Sequence, residues 1–392
     1  MNPAILHPEV QQYITDNLNT DISKLLFKGS PFGSVTVQEL VTQIVSKKKS
    51  EKKLPTWFEA DNIYYPSKVN IEQTSSEITA NYKSSLMNGN SIIDITGGFG
   101  IDCYSFSKKF KTVTHCELDT NLSTIVNNNY QQLKNDNINL FSGDGIAFLK
   151  SSVENFDWIY IDPSRRDSVN KKVFLLKDCL PNVPENLALL FSKSNNILIK
   201  NSPILDLSKT IDELNFVKEI HIVAVANEVK ELLFLLKKNY TEPIAIKTIN
   251  YHKNTIQKFD FQHLKKSTSI YSDPKKYIYE PNTAILKSGG FHEISEYFSL
   301  EKLHPNSHLY TSNNLIEFPG RTFLVEHIIP YNKKEIQKYL KENKANITIR
   351  NFPGTVAEIR KKTKIKDGGS QYLFFTTLKK NTLKVLTCSQ VF

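Results

Sequence analysis

Short apolar runs alternate with amphipathic stretches through the middle of the chain, from Ser91 to Glu228. The short runs predict buried strands, and the stretches between them, such as 121–135 and 173–192, predict helices. Buried strands separated by helices are typical of a parallel sheet with helices on both faces. The predicted strands are 91–95, 112–118, 137–144, 157–163, 196–203 and 221–228.

The chain changes pattern on both sides of this predicted sheet. Residues 1–80 are polar with a helical period, clearest over 35–45, and predict a helical N-terminal region. Residues 241–320 are less regular and rich in Tyr, Ser and Pro, and they predict a small α+β insert. A basic segment begins at Arg321. Its predicted elements are helices over 332–343 and 355–361 and a strand over 372–377.

The positive charge is concentrated at the C-terminal end. The 392 residues include 50 Lys and Arg against 40 Asp and Glu, a net charge of +10. Residues 321–392 contain twelve Lys and three Arg but five acidic residues, so this segment carries the whole excess. Such a block predicts binding to a polyanion such as RNA. A lysine-rich solvated face is the alternative, and a membrane surface is disfavoured because the basic residues alternate with strand-like segments.

Several classes of protein are excluded by composition. No apolar run is long enough to span a membrane, and the N-terminus does not have the pattern of a secretory signal. The four cysteines are scattered and form no C-x-x-C pair, which argues against a disulfide scaffold or a thiolate zinc site. No histidine pair has metal-ligand spacing, so we expect no metal. These observations predict a reduced, soluble, cytoplasmic protein.

A glycine-rich turn follows the first predicted strand, in the sequence DITGGFG over 94–100. Such a turn lets a ligand approach the backbone at the start of a helix. A dinucleotide site requires G-x-G-x-x-G, but Gly98 and Gly100 are followed by Cys103 in place of the third glycine. The other candidate ligand is S-adenosylmethionine, whose cationic amino-acid end would suit Asp94 before the glycines.

Acidic residues also end the next three predicted strands. Glu117 is placed where a carboxylate accepts the hydroxyl hydrogens of a ribose, and Asp144 is placed where it could receive an adenine amino group. Asp162 ends the fourth strand. Each acid alone could be a helix cap or a turn residue. Four in succession at the carboxyl edge of one sheet favour a shared ligand site.

These motifs resemble those of class I S-adenosylmethionine-dependent methyltransferases, and more narrowly those of a bacterial family with a C-terminal THUMP-like domain. The resemblance covers nearly the whole chain. Two departures from the usual patterns are Thr96, at the position of the first glycine, and Ser164, where a second proline is usual. The segments that carry the resemblance are DITGGFG, HCELD, SGDG, IDPSRRD, EQTSSEITANYK (72–83), EPNTAILKSGG (280–290), SHLYTSNN (307–314), RNFPGTVAEIRKKTKIKDGG (350–369) and YLFFTTL (372–378).

The resemblance implies a Rossmann-like methyltransferase core over 81–240, after a helical region over 1–80. It further implies a ferredoxin-like domain over 241–320 and a basic THUMP-like domain over 321–392, of a type associated with RNA. It implies that Gln73 and Ser76, beside Ser75 and Glu77, close over the cofactor, although these residues also have the pattern of a helix cap. The residues predicted to bind the cofactor are Gln73, Ser76, Asp94, Thr96, Gly98, Gly100, Glu117, Leu118, Asp144 and Gly145.

Methyl transfer from a sulfonium is an in-line displacement in which the protein mainly aligns the acceptor. The Asp162 carboxylate, or the carbonyl next to Pro163, could accept hydrogens from an exocyclic base amine. Pro163 would fix the turn, and Arg165 would bind phosphate or stack on a base. Arg165 and Arg166 could instead form ion pairs within the loop. The residues predicted to bind substrate are Arg166, Lys200, Arg350, Arg360, Lys361 and Lys362. Other residues that either line a base pocket or satisfy loop backbone are Asn201, Ser202 and Glu228.

A base nitrogen is favoured over a ring carbon as the methyl acceptor. Methylation of a pyrimidine carbon normally uses a cysteine nucleophile. Cys179 has an apolar setting, and Cys103 and Cys116 flank the glycine turn and the second strand, so core packing is expected for all three. The sequence thus predicts an enzyme that methylates tRNA or rRNA. The alternatives are a non-catalytic RNA-binding or assembly protein on this fold, and a methyltransferase of proteins or small molecules.

Overall fold

The protein is described by a computed structural model that covers residues 1–165 and 175–391. The chain divides into two compact units. The first contains Met1–Lys218 and Leu233–Thr241, and the second contains Glu219–Leu232 and Glu242–Phe392.

Helices form the N-terminal part of the first unit, as the polar helical pattern predicts. The longest begins at a capping box, in which the Thr36 hydroxyl accepts from the Glu39 N–H and the Glu39 carboxylate accepts from the Thr36 N–H. Leu40 and Ile44 of this helix are buried, so its apolar stripe faces the core. The helices are α1 (Pro8–Asp16), α2 (Ile22–Lys28), α3 (Val37–Lys53), α4 (Pro55–Glu59), α5 (Lys68–Gln73) and α6 (Glu77–Ser85).

A parallel sheet with intervening helices follows, which confirms the predicted α/β class. Its strands match five of the predicted strands, and all of these except Ile138–Ser142 are mostly buried. The strands are β1 (Ser91–Asp94), β2 (Thr112–Glu117), β3 (Ile138–Ser142), β4 (Trp158–Ile161) and β7 (Asn196–Asn201), with a two-stranded ribbon of β5 (Ser164–Arg165) and β6 (Cys179–Leu180). The helices are α7 (Ile101–Ser107), α8 (Thr120–Gln132), α9 (Gly145–Ser151), α10 (Val183–Lys193) and α11 (Leu207–Asp212). In space the parallel strands follow the order β7-β4-β1-β2-β3.

The helix predicted over 173–192 is wrong in its first part. Residues 173 and 174 lie outside the described residues, and Cys179–Leu180 pairs with Ser164–Arg165 as a strand. The helix starts at Val183, because Asn182 caps it by accepting from the Glu185 N–H and Pro184 suits its first turn.

In the second unit the predicted strand over 221–228 is divided by a tight turn. Ala226 and Asn227 both have positive φ, which is the geometry of a two-residue hairpin turn. The flanking strands are longer than the apolar pattern indicated, and one of them pairs in parallel with a strand after Thr241. The strands are β8 (Val217–Val225), β9 (Glu228–Lys237), β10 (Ala245–His252) and β11 (Thr255–Gln262), with β8 parallel to β10 and β10 antiparallel to β11. The start of β8 and the end of β9 belong to the first unit.

A mixed sheet forms the C-terminal part of the second unit, with a core that includes Phe323, Phe374 and Leu386. The strands are β12 (Tyr277–Pro281), β13 (Glu301–Lys302), β14 (Tyr310–Ser312), β15 (Gly320–Pro330), β16 (Asn346–Arg350), β17 (Gln371–Thr377) and β18 (Leu383–Gln390), in the spatial order β13-β14-β12-β15-β18-β17-β16. The helices are α12 (Thr283–Ser288), α13 (Glu293–Tyr297), α14 (Lys333–Lys338) and α15 (Val356–Thr363).

Two of these C-terminal elements match the sequence prediction closely and one does not. The strand predicted over 372–377 is β17, and the helix over 355–361 is α15. The helix over 332–343 is wrong in length, because α14 ends at Lys338. Across residues 1–165 and 175–391, none of the helices has the length and apolarity that crossing a bilayer requires.

A buried ion pair connects the N-terminal helices to the sheet domain. The Lys83 ammonium on α6 lies 3.1 Å from the Asp102 carboxylate on α7, and the Lys83 side chain is fully buried. Ser75 and Tyr160 each donate a hydrogen bond of 2.8 Å to the other Asp102 oxygen. The carboxylate is therefore held from three elements of the first unit.

Lys83→Met should lower the free energy of unfolding of the first unit by roughly 3–5 kcal/mol, because it leaves Asp102 with less compensation inside the protein. Both tryptophans of the chain, Trp57 and Trp158, are buried in this unit, so tryptophan fluorescence in urea reports its unfolding. Lys109→Met removes an exposed lysine from the same unit and should cost less than about 0.5 kcal/mol. Equal losses in the free energy of unfolding for the two variants would contradict the conclusion that Lys83 compensates the buried charge of Asp102.

Candidate active site

Four acidic residues meet at one edge of the parallel sheet. Asp94 ends β1, Glu117 ends β2, Asp144 follows β3, and Asp162 follows β4. These strands are neighbours in the order β4-β1-β2-β3, and their parallel register brings their carboxyl ends to the same edge. The structure therefore brings together the residues that the sequence analysis selected there.

Asp94 lies at the centre of this edge and is buried. Its Oδ1 accepts from the Thr96 N–H at 2.8 Å and from the Thr96 hydroxyl at 3.0 Å, while its Oδ2 faces the Cys103 thiol at 3.4 Å. Burial raises the pKa of Asp94 to about 7, against the hydrogen bond from the Thr96 N–H, and the Asp102 carboxylate adds to the rise. A carboxyl group in this state changes its charge near neutral pH.

Thr96 connects two of the acidic residues. Its hydroxyl donates to Asp94 and accepts from the backbone N–H of Asp162 at 2.7 Å. The threonine at the position of the usual first glycine thus has a structural function. It joins the end of β1 to the end of β4.

The glycine turn is closed by specific contacts. The Gly98 N–H donates to Glu117 Oε2 at 2.8 Å, and the Gly100 carbonyl accepts from the Tyr130 hydroxyl at 2.8 Å. Gly98 and Gly100 have φ of 56° and 81°, which glycine adopts without strain.

His115 on β2 lies directly behind this turn. A Cβ on Gly97 would come within 2.2 Å of its Nε2. The ring is fully buried, and neither ring nitrogen has a hydrogen-bond partner among the described residues. Burial lowers the pKa of His115 to about 4, so it is a neutral ring against which Gly97 packs.

The end of β2 and the loop after β3 border the turn. The second Glu117 oxygen accepts from the Asp119 N–H, and the next side chain, Leu118, is 73% exposed. Asp144 caps α9 by accepting from two backbone N–H groups and is exposed. A Cβ on Gly145 would lie 2.5 Å from the Ile95 carbonyl oxygen, so glycine is needed for this close approach.

Asp162 forms an ion pair with Lys200 on β7. The Asp162 side chain is 35% exposed, whereas that of Lys200 is 11% exposed. Burial raises the pKa of Asp162 although the Lys200 ammonium lowers it. Burial acts to raise the pKa of Asp102, but the ammonium groups of Lys83 and Lys200 and the hydrogen bonds to Asp102 bring it below its usual value.

The structure adds residues to the site that the sequence analysis did not select. Asp102, Lys83 and Tyr160 form the buried polar network beside Asp162, and His115 supports the glycine turn. An acid two residues after Gly100 was a visible signal for Asp102. Nothing in the sequence pattern pairs it with Lys83, because that contact joins separate elements.

Most of the residues predicted to close over the cofactor form hydrogen bonds within the protein. Ser76 caps α6 by accepting from the Thr79 N–H at 3.2 Å, and Glu77 accepts from the Thr56 N–H and hydroxyl. Ser75 is buried against Asp102, and Gln73 is exposed at the end of α5. Their predicted contact with a cofactor stays a prediction.

The three cysteines of the first unit are buried. Burial raises the pKa values of the Cys103 and Cys116 thiols, and the Cys179 Sγ lies 3.9 Å from the Leu175 carbonyl oxygen. Buried thiols with raised pKa values are poor nucleophiles, which accords with the expectation of core packing.

The loop after β4 is described only in part. Pro163 is half-buried, and the backbone of Arg165 pairs with Cys179. Arg166 lies outside the described residues. The side chain of Asn201, at the end of β7, is buried, and neither its oxygen nor its nitrogen has a hydrogen-bond partner among the described residues.

Two arginines predicted to bind substrate are held within the second unit. Arg350 donates to the buried carboxylate of Glu280 at 2.7 Å, and Arg321 contacts the same carboxylate. Arg360 contacts Asp367 and donates to backbone carbonyl oxygens. By contrast, Lys361 and Lys362 are exposed near the end of α15.

A solved structure from Porphyromonas gingivalis W83, of a provisionally assigned methyltransferase, is similar over nearly all of both chains. It is 32% identical to this chain, covers 99% of it and 98% of its own length, and superposes with a TM-score of 0.88. The chain belongs to the bacterial family of class I methyltransferases with a THUMP-like C-terminal domain.

The domain models of this methyltransferase family match the C-terminal part of the chain. A ferredoxin-like domain matches residues 277–319, and a THUMP-like domain matches residues 320–390. Our boundaries of 241–320 and 321–392 for these domains, and of 1–80 and 81–240 for the parts before them, stay predictions.

Other solved methyltransferases are similar to part of the chain only. One is a provisionally assigned RNA methyltransferase from Pyrococcus horikoshii, 15% identical over 48% of this chain and 98% of its own, with a TM-score of 0.34. Another is an rRNA methylase from Streptococcus thermophilus, 13% identical over 41% of this chain and 94% of its own, with a TM-score of 0.31. No curated protein matches the sequence.

The glycine turn of this methyltransferase fold yields a matched pair of variants. Gly97→Ala should lower the free energy of unfolding by about 2–3 kcal/mol, because its methyl group would overlap the buried His115 ring. Gly98→Ala has free space for the methyl group and should cost only about 1 kcal/mol for its positive φ. Urea unfolding followed by tryptophan fluorescence measures both, and the opposite ranking would contradict the packing of His115 against the turn.

Proposed function

We propose that the protein is an S-adenosylmethionine-dependent methyltransferase that acts on RNA, with a base nitrogen as the acceptor. The observation that carries the proposal is the alignment of four acidic residues with the glycine turn at one edge of the sheet. Open α/β sheets bind ligands at this edge. The chain belongs to a methyltransferase family, and the proposal adds which cofactor it uses and which substrate it acts on.

The residues at this edge have the chemistry that the cofactor requires. Asp94 would accept hydrogens from the α-ammonium group, Glu117 from the ribose hydroxyls, and Asp144 from the adenine amino group. Their carboxylate oxygens keep acceptor capacity beyond the backbone hydrogen bonds that they make. The exposed Leu118 would be covered by the adenine face, so the hydrogen-bond acceptors and the apolar contact both fit the cofactor.

The reaction needs alignment more than covalent help from the protein. When bound, S-adenosylmethionine supplies a methyl group on a positively charged sulfur, which keeps the bonding electron pair when the methyl group leaves. Asp162 would orient the attacking nitrogen by accepting a hydrogen from it. In the same loop, Pro163 would fix the turn and Arg165 would bind phosphate or stack on a base. Such alignment is worth roughly 7–11 kcal/mol of activation free energy.

RNA as the substrate is supported by two features of the chain. The excess of ten positive charges in residues 321–392 predicts affinity for phosphates, and Lys361 and Lys362 are exposed there. The buried amide of Asn201 has no partner among the described residues, and its nitrogen and oxygen are the donor and acceptor that the edge of a base requires. The substrate functions of Lys361, Lys362, Arg166, Arg350 and Arg360, and a cytoplasmic location, remain part of this proposal.

Binding of S-adenosylmethionine should weaken as the pH falls from 7 to 5. The α-ammonium group needs Asp94 as a carboxylate, and Asp94 loses its charge as the pH falls through about 7. Isothermal titration calorimetry should show up to about a tenfold loss of affinity per pH unit below that value. Asp94→Asn should bind more weakly and with little dependence on pH, and an unchanged pH profile in this variant would contradict the function of Asp94.

Methyl label from S-adenosylmethionine should appear in RNA when the protein is incubated with total RNA from cells that lack it. The label should be removed by ribonuclease, and Asp162→Ala should lower its incorporation on the order of 10²–10⁴-fold, because the acceptor for the amino hydrogen is lost. Label that resists ribonuclease would indicate a protein or small-molecule substrate. Binding of both ligands with no label in any fraction would favour the non-catalytic alternative.

A further inference from the structure

Lys200 is fixed against Asp162 by the register of the sheet. Ile199 on β7 lies beside Ile161 on β4, so the next residues of the two parallel strands, Lys200 and Asp162, are also neighbours. The Lys200 ammonium contacts Asp162 Oδ2. Lys200 is 9% exposed as a whole residue, which leaves its ammonium little access to a bulky phosphate group.

The charges around Asp162 alternate in sign. Lys200 faces it from β7, Asp102 from α7 and Lys83 from α6, and the Asp162 N–H is bound to the Thr96 hydroxyl. Burial and the Asp102 carboxylate raise the pKa of Asp162, while Lys200 and Lys83 lower it. Of these groups, Lys200 makes the direct contact.

We propose that Lys200 is a positioning residue that holds Oδ2 of Asp162 as a carboxylate, so that Oδ1 accepts a hydrogen from an exocyclic amino group of the target base. This inference rests on the proposed methyltransferase function. It differs from the direct contact with substrate that the sequence suggested for Lys200.

The proposal follows from the hydrogen-bond chemistry of the carboxyl group. A carboxylate only accepts hydrogens, whereas a protonated carboxyl group also donates one. Acceptance at Oδ1 turns the lone pair of the amino nitrogen toward the methyl group. The lone pair forms the N–C bond, the electron pair of the broken S–C bond stays on sulfur, and the proton released from nitrogen passes to Oδ1.

The class of acceptor is narrowed by the same argument. An exocyclic amino group, as in adenine or cytosine, carries hydrogens that Asp162 can accept. A ring nitrogen with only a lone pair offers no hydrogen, so it would gain nothing from a fixed carboxylate. The Lys200–Asp162 pair therefore favours exocyclic amino groups as the site of methylation.

Two measurements on Lys200→Met test the inference. With ¹³C-labelled aspartate, the NMR titration of the Asp162 carboxyl carbon, assigned with Asp162→Asn, should move upward by about 1–3 pH units. The acid limb of the kcat profile on RNA should move upward by the same amount, with the KM for RNA changed less than about twofold. Lys200→Arg keeps the positive charge and should restore both profiles in large part.

Control variants separate positioning from a structural function. Lys109→Met removes an exposed lysine of the same unit and should move neither profile. In Asp162→Asn no carboxyl group is left to titrate or to take the proton, so activity should be low, and adding Lys200→Met should no longer move the acid limb of the activity that remains. If Lys200→Met does not fold, as judged by tryptophan fluorescence, Lys200→Gln takes its place.

The outcomes distinguish this inference from the proposed function. An Asp162 titration that is unchanged in Lys200→Met overturns the inference, whether or not the protein methylates RNA. A raised KM for RNA with an unmoved acid limb also overturns it and assigns Lys200 to substrate binding. If the Asp162 titration shifts but the protein methylates nothing, the coupling of Lys200 to Asp162 is supported. The proposed function is then refuted.

Discussion

Three aspartates, of which Asp94 and Asp102 are buried and Asp162 is partly buried, share a polar network near the carboxyl edge of the parallel sheet, and the need to compensate their charge constrains the surrounding structure. Asp102 is held by Lys83, and Asp162 is paired with Lys200. Asp94 has no lysine of its own in the described contacts and has only the hydrogen bonds of Thr96 and the thiol contact. Buried carboxylates are costly without partners. This requirement explains why two lysines with almost buried side chains lie inside the domain.

The compensation also explains how the first unit is assembled. Lys83 belongs to the N-terminal helices, Asp102 to the helix after the glycine turn, and Tyr160 and Lys200 to neighbouring strands. The network therefore joins helices, turn and sheet through side chains, in addition to the apolar core. Substitutions at two members should therefore have non-additive effects on the free energy of unfolding, since such contacts are not independent.

The sequence predicts the parallel sheet and its acidic strand ends because both depend on local pattern. Buried strands have a short apolar signature, and a residue that ends a parallel strand must lie at the common edge. It does not predict the pairing of Lys83 with Asp102 or the position of His115 behind Gly97, because these contacts depend on how separate elements pack. It also places the start of α10 too early, because the apolar pattern continued through a segment that forms a strand.

The C-terminal arginines show that predictions made from charge have the same limit. A count of basic residues identifies the segment after Arg321, but it cannot tell which of them are already paired. Arg321 and Arg350 both contact Glu280, and Arg360 contacts Asp367. Each of these three arginines has an acidic partner, whereas lysines such as Lys361 are exposed.

The charged groups of the network determine the sign of the net charge at the site. With every group ionised, three aspartates and two lysines leave one negative charge. The pKa of about 7 for Asp94 means that this excess is only partly present at neutral pH. A cation beside Asp94 would complete the compensation that the protein leaves open and would lower the pKa of this carboxyl group. An anionic ligand would add to the excess instead. The arrangement therefore favours a positively charged ligand group at this point, whatever molecule carries it.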